Sequence, residues 1–130
     1  IISLADLLWN SIDENDDIDS LAEEEKEFGF DRAQETVHKY LTDKDFTPLP
    51  DLLAEKLSEL GLRNSIAFLT RAASLAPSIY QISQLLGQIQ GKTLVPTVLF
   101  YPGSAVGTTG LRFMDMPDRV PMGSYRVKIY

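Results

Sequence analysis

The first apolar residues of the chain follow a helical spacing after a short extended start. The chain opens with an apolar pair, which predicts the end of a strand at Ile1–Ser3. Apolar residues then recur at i, i+3, i+4 and i+8 from Leu4 to Ile12, which predicts one face of a short helix. The next segment, Asp13–Asp19, is rich in carboxylates and has no apolar periodicity. We therefore expect an acidic loop there.

Three further helices are expected in the first half of the chain. Ser20 has a side chain suited to an N-cap and would begin the first of them, which Gly29 would end. Asp31 would cap the second helix. The third would begin near Pro48, because proline suits a first helical turn, and it would stop at Gly61.

The second half of the chain changes to a pattern that is typical of strands. Ser65–Thr70 is compatible with either a buried strand or one face of a helix. A clearer helix follows and ends near Gly91. Residues 95–101 are almost continuously apolar, which predicts a strand buried on both faces, as in the centre of an α/β sheet. Residues 111–115 and 124–130 alternate in polarity and predict half-buried strands.

Composition narrows the chemistry of the chain. Its 130 residues include no cysteine and one histidine, His38, which excludes disulfides and thiolate catalysis and leaves little material for a zinc site. The net charge of −7 is unevenly divided: residues 1–60 hold 17 of the 19 acids, and residues 61–130 hold 7 of the 12 bases. This division predicts either an acidic and a basic face, or charged surface helices beside a buried sheet.

A partial phosphate-binding motif lies at the end of the last predicted helix. Gly91-Lys92-Thr93 matches the end of the P-loop pattern, but the preceding glycine, Gly87, is one residue too close. A P-loop also follows a strand and opens a helix, whereas here a helix precedes and a strand follows. We therefore interpret Gly91 as the left-handed residue that ends the helix. A degenerate nucleotide-binding protein is kept as an alternative.

Other candidate sites have weaker patterns. Asp115 and Asp118 either bind a metal ion or, as we expect, cap a turn. His38 has no nucleophile motif nearby and is expected at the surface. No catalytic, cofactor-binding or metal-binding residue is predicted. Pro102–Gly110 is expected to be a flexible connection or, because it leaves the carboxyl end of a central strand, a binding loop.

Basic residues in the second half are interleaved with aromatic ones. Arg126 and Lys128 fall on the same side of the last predicted strand, and Arg71 and Arg112 occur earlier. Such residues either protect an edge strand and meet an acidic protein, or follow the phosphates of a nucleic acid. We favour a protein partner, because a net-acidic chain is a poor general nucleic-acid binder. DNA binding is kept as an alternative.

Four short motifs occur in the second half of the chain: Phe68-Leu69-Thr70, Tyr101-Pro102-Gly103, Leu111-Arg112 and Tyr125-Arg126. Together they resemble motifs of the BrxB family of the bacteriophage exclusion (BREX) defence system. The opening "IISLADLL" also resembles a family strand that runs into an Asp-Leu-Leu helix. The chain departs from the family pattern at Arg71-Ala72-Ala73, where the family usually has glycine.

This resemblance implies a cytoplasmic prokaryotic protein of a multi-protein anti-phage system. It implies no established enzymatic activity, and it implies contacts with other members, notably the alkaline-phosphatase-like PglZ. It also favours a strand at Ser65–Thr70. We therefore expect a non-catalytic assembly component. The partner-binding residues that we expect are Arg71, Tyr101, Gly103, Arg112, Arg126 and Lys128.

The predicted fold is one α/β domain over residues 1–130, with a mainly parallel central sheet, flanking helices and an antiparallel C-terminal extension. The acidic helices of residues 1–60 would connect the first two strands, and residues 61–130 would be rich in sheet. The strands of the parallel core are expected near 1–4, 65–70 and 95–101. Because the chain begins at Ile1, within a predicted strand, we expect a fragment of a longer protein, and the family resemblance implies that it lacks an N-terminal strand.

Overall fold

A parallel sheet lies at the centre of the structure, a computed structural model that describes residues 1–61, 64–76, 79–107, 110–116 and 128–129. Its strands run in the order β1-β2-β3 and are all parallel, so β2 is the central strand. The strands are β1 (Ile2–Ser3), β2 (Ala67–Thr70) and β3 (Thr97–Leu99). The predicted parallel core is confirmed, and the ambiguous segment Ser65–Thr70 contains a strand.

Helices connect these strands in the order that the sequence predicts. In the described part of the chain they are α1 (Leu4–Asn15), α2 (Ile18–Phe28), α3 (Phe30–Thr42), α4 (Leu49–Ser58) and α5 (Ile82–Ile89). The first four lie between β1 and β2, and α5 lies between β2 and β3. A short 3₁₀ helix, Ala72–Leu75, follows β2 after a single residue, Arg71.

Leucine side chains from the helices form the core against one face of the sheet. Leu4, Leu41 and Leu53 are fully buried, and Leu69 joins them from the central strand. The helical spacing from Leu4 to Ile12 corresponds to the buried side of α1. Each such side chain contributes roughly 1.5–3 kcal/mol through the burial of its hydrocarbon surface.

The boundary between α1 and α2 differs from the prediction. α1 continues into the expected acidic loop Asp13–Asp19, and only two residues separate it from α2. Asp17, rather than Ser20, caps α2: its carboxylate accepts a hydrogen bond of 2.7 Å from the backbone N–H of Ser20. That bond lowers the pKa of Asp17. The cap therefore lies three residues earlier than expected, and the charged acceptor stabilises the positive end of the helix dipole there.

Gly29 both ends α2, as predicted, and begins α3. Its φ of +92° places it in a conformation that L side chains rarely adopt, which explains a glycine at this turn. Asp31, the predicted cap of α3, lies instead in the first turn of that helix. Its negative charge there still favours the positive end of the helix dipole.

An antiparallel hairpin follows β3 and is the C-terminal extension that the sequence predicts. It consists of β4 (Gly103–Val106) and β5 (Gly110–Phe113). The expected flexible connection Pro102–Gly110 therefore contains a strand. The strand expected at 111–115 pairs with β4 and not with the parallel sheet. Most of the strand expected at 124–130 lies outside the described residues.

Candidate partner-binding surface

One face of the parallel sheet carries large apolar side chains that stay exposed, and we name it the outer face. Its members are Ile66, Phe68, Val98 and Phe100, with exposed fractions of 58%, 37%, 45% and 58%. Phe68 stacks on Phe100 with ring centroids 6.0 Å apart, and it is paired with Val98 across β2 and β3. Phe68 and Val98 thus adjoin on neighbouring strands, and Ile66 and Phe100 directly flank those strands.

The outer face corrects the prediction that the strand at 95–101 is buried on both sides. β3 is an edge strand of the three-stranded sheet, and Val98 and Phe100 are exposed. The helices cover the opposite face, where Ala67 and Leu69 are fully buried. Parallel sheets normally bury both faces, and contiguous exposed apolar surface marks a binding site. The outer face is therefore suited to contact with another apolar surface.

Arg71 and Tyr101 lie at the carboxyl edge of the parallel sheet. Each comes two residues after the paired positions Leu69 and Leu99. Arg71 has a left-handed backbone, with φ +56°, and its guanidinium lies 3.8 Å from the carboxylate of Asp6 in the first turn of α1. Both side chains are largely exposed, so this ion pair contributes at most about 1 kcal/mol.

Tyr101, Gly103 and Arg112 meet at the base of the β4–β5 hairpin. The Tyr101 ring packs edge-on against Phe113 at 5.7 Å, and both rings are half-buried beside the core. Gly103 has φ +147°, and a Cβ at this position would overlap the carbonyl oxygen of Arg112. The Nε of Arg112 is buried and has no hydrogen-bond partner among the described residues. Of the predicted contact residues, these three come together in space.

The two remaining predicted contact residues lie in the last part of the chain. Lys128 is exposed, and Arg126 lies outside the described residues. Sequence reasoning did not select Phe68 or Phe100 as contact residues. The signal that could have found them is the continuous apolarity of an edge strand. Such a run predicts that both faces of the strand are covered, whether by this chain or by another protein.

Charges of the two halves of the chain meet in the structure. Lys92 lies 2.9 Å from Asp51 of α4, and Arg71 pairs with Asp6 of α1. Each of these two bases of the second half is thus next to an acid of the first half. The pairing reduces the positive charge that they offer to a phosphate backbone.

The partial P-loop has the geometry of a helix end. α5 ends at Ile89, Gly91 has φ +80°, and the backbone N–H of Lys92 donates to the carbonyl of Ile89 at 3.0 Å. The strand β3 follows. The interpretation of Gly91 as the glycine that ends a helix is therefore confirmed.

His38 is a surface residue of α3, as predicted, and it fastens a loop to that helix. Its Nδ1 lies 2.8 Å from the backbone carbonyl of Ile79, to which the ring donates when Nδ1 carries the proton. Beside it is a surface groove of about 350 Å³ lined by Asp31, Gln34, Glu35 and His38. The described residues contain no group of three or more His, Cys, Asp or Glu side chains placed to hold a metal ion.

Comparison with known families adds a finding that is independent of this geometry. The family model of the BREX protein BrxB matches residues 1–128 of the chain. No curated protein and no solved structure matches it. In the described part of the chain, no helix has the length and apolarity needed to cross a bilayer.

Proposed function

Because the chain belongs to the BrxB family and so is a component of a BREX phage-defence system, we propose that it is a non-catalytic assembly component. In this role it binds another protein of the system, a PglZ-like protein, in the cytoplasm. The outer face of the parallel sheet forms the centre of the contact.

The observation that carries this proposal is the exposure of Phe68 and Phe100 beside Val98. Aromatic side chains that cluster at the centre of a patch are the usual anchors of protein interfaces. Covering a patch of this kind removes apolar surface from water, at roughly 25 cal/mol per Å². None of the outer-face side chains is titratable or nucleophilic, so this surface favours binding over catalysis.

A protein fits the outer face better than a nucleic acid does. Single-stranded nucleic acids bind to aromatic side chains that lie within a positively charged groove. Here Arg71 and Lys92 are each paired with an acid, and the chain has a net charge of −7. An apolar partner surface needs no such positive groove.

The predicted contact residues would then form the rim of the interface. Arg71 and Tyr101 lie at the carboxyl edge of the sheet, next in sequence to Thr70 and Phe100. Gly103 and Arg112 continue this edge into the hairpin, while Lys128 and Arg126, which lies outside the described residues, stay predicted contact residues. Rim charges mainly affect the rate and salt dependence of association, whereas buried anchors determine its strength.

The test is co-purification of the chain with each other protein of its BREX system, the PglZ-like protein first. Replacing Phe68→Thr and Phe100→Thr together keeps strand-compatible residues and removes both rings. We expect this double variant to bind its partner about 30-fold more weakly or worse, as loss of an interface anchor does. The control is Ile18→Ala, an exposed apolar residue of α2 that is distant in sequence from the sheet.

Two results would contradict the proposal. One is the absence of binding between the folded chain and every other protein of the system. The other is unchanged binding by the double variant, which would exclude the outer face. The nucleic-acid alternative would be supported instead if the chain binds DNA in a salt-sensitive manner and Arg112→Ala and Lys128→Ala abolish that binding.

A further inference from the structure

The turn between α2 and α3 presents two exposed aromatic side chains, and we name Phe28, Gly29 and Phe30 the aromatic tip. Phe28 is 64% exposed and Phe30 is 56% exposed. Phe28 is the last residue of α2 and Phe30 the first of α3, with Gly29 as the single residue between them. Because both rings remain largely in water, they add little to the stability of the fold.

The helices hold the aromatic tip in a defined position. The inner side of the pair is formed by the buried residues Leu21, Ala33 and Val37. Across the pair, the hydroxyl of Thr36 donates to Glu24 at 2.9 Å, and the guanidinium of Arg32 lies 3.2 Å from the same carboxylate. A surface that is ordered before binding loses less conformational entropy when it binds.

The segment that contains the aromatic tip is rich in carboxylates. Residues 23–35 contain six carboxylates and two bases, Lys26 and Arg32. Arg32 is already engaged with Glu24 and Glu35, at 3.2 and 3.4 Å. The groove lined by Asp31 and Glu35 begins at the residue after Phe30. The surface thus combines two exposed rings with carboxylates that favour a basic partner.

We propose that the aromatic tip is a second protein-binding site, which takes a basic protein surface with an apolar pocket for the two rings. The pocket would receive Phe28 and Phe30, and Lys or Arg side chains around it would face the carboxylates. Aromatic anchors inside a ring of complementary charge give both affinity and a faster encounter.

This site is separate from the outer face. α2 packs on α3, and α3 in turn packs on α1 and α4 in the helical layer. The outer face lies on the side of the sheet opposite the buried Ala67 and Leu69. A chain with one binding surface on each side can hold two proteins at once. A second binding site goes beyond the proposed function, and it does not depend on which protein covers the sheet.

The first experiment places a photo-cross-linking phenylalanine analogue at Phe28 of the full chain, in cells that express the whole BREX system. We expect a cross-link to a Lys- or Arg-rich segment of another protein of that system, mapped by mass spectrometry. We also expect the cross-link to persist in the Phe68→Thr, Phe100→Thr background. The matched control carries the analogue at Ile18, roughly 15 Å away along α2 at 1.5 Å per residue.

Four outcomes of that experiment would overturn the proposal. They are the absence of a cross-link, a cross-link only to another copy of this chain, a cross-link only to lipid, and loss of the cross-link in the outer-face variant. Loss of the cross-link in the outer-face variant would show that a protein reaches the tip only when it is bound at the outer face. Binding at the tip without binding at the outer face would leave this proposal standing and refute the proposed function.

The second experiment measures affinity with the purified protein that the cross-link identifies. Replacing Phe28→Ala and Phe30→Ala together is expected to weaken binding about 30-fold or more. Glu27→Lys is expected to weaken binding and to reduce its dependence on salt. Ile18→Ala should leave the Kd unchanged. An unchanged Kd for the Phe28→Ala, Phe30→Ala variant, with its melting temperature intact, would also overturn the proposal.

Discussion

The hydroxyl of Ser11 donates a hydrogen bond to the backbone carbonyl of Thr47, 2.9 Å away, and so joins the middle of α1 to the segment that leads into α4. Ser11 is fully buried. Asn15, one turn later on α1, donates to the hydroxyl of Thr47 at 3.0 Å. Thr47 is thus held by two side chains of α1, which fixes where α4 begins against the core.

Replacing Ser11→Ala should therefore destabilise the chain. The change removes the donor to the Thr47 carbonyl and leaves that carbonyl without its partner, which costs about 1–3 kcal/mol. Urea unfolding followed by circular dichroism measures the loss. The control is Ser58→Ala, because the hydroxyl of Ser58 bonds the Glu55 carbonyl at an exposed position and its loss should change the free energy by less than about 0.5 kcal/mol. Equal effects of the two changes would contradict the prediction.

Gly103 and Gly87 should respond in opposite directions to alanine. At Gly103 the added Cβ would overlap the Arg112 carbonyl oxygen, and φ is +147°, so we expect a loss of about 1–3 kcal/mol or more. Gly87 lies inside α5 with no atom within 4 Å of an added Cβ, so Gly87→Ala should raise stability by about 0.5–1 kcal/mol. Denaturant midpoints of the two variants test the sign. A Gly103→Ala variant as stable as the parent would be incompatible with the hairpin geometry.

The helical layer was largely predictable from the sequence because its signal is local. The spacing from Leu4 to Ile12 and the glycine at position 29 each describe neighbours within a turn or two of the chain. The helix starts were less predictable, since Asp17 and Ser20 are both good N-cap residues. Which of them caps α2 depends on the length of α1 before it, and the sequence pattern does not report that length.

The first strand of the hairpin and the exposure of the outer face were not predictable, because both depend on contacts between distant residues. Gly103–Val106 has the small residues of a loop, and it is a strand only because β5 pairs with it. The apolar run of β3 predicts burial on both faces, whereas Val98 and Phe100 are exposed. A local run of apolar residues does not report that the described helices cover one face of the sheet, so the exposure of Phe68 and Phe100 could not be predicted from it.

Replacing Arg71 with glycine or with alanine separates two effects on stability, that of its backbone conformation and that of its lost side chain. Arg71→Gly should be more stable than Arg71→Ala by about 0.5–1 kcal/mol, because only glycine adopts φ +56° without strain. Both changes remove the exposed ion pair with Asp6, so that loss cancels in the comparison. Thermal unfolding of both variants provides the measurement. If the alanine variant is the more stable, the left-handed backbone at this position is excluded.

Two buried tyrosines should make the stability of the chain depend on pH in the alkaline range. Burial, followed by the negative charge of Asp51, raises the pKa of Tyr80 to about 12. Burial, followed by the hydrogen bond that its hydroxyl donates to Asp16 at 3.1 Å, raises the pKa of Tyr40 to about 12. An exposed tyrosine of the unfolded chain ionises near pH 10.

Between about pH 10 and pH 12 the unfolded chain therefore loses protons that the folded chain retains, and the free energy of unfolding must fall as the pH rises. The tyrosine contribution is fully present below pH 10. The Tyr40→Phe, Tyr80→Phe variant removes both titrating groups, so its free energy of unfolding should fall less over this range than that of the parent. It should also be less stable at pH 8, because Tyr80 no longer donates to Gln88 and Tyr40 no longer donates to Asp16. Urea unfolding at pH 8 and pH 11 measures both effects, and an equal fall in parent and variant would contradict the assignment to these two tyrosines.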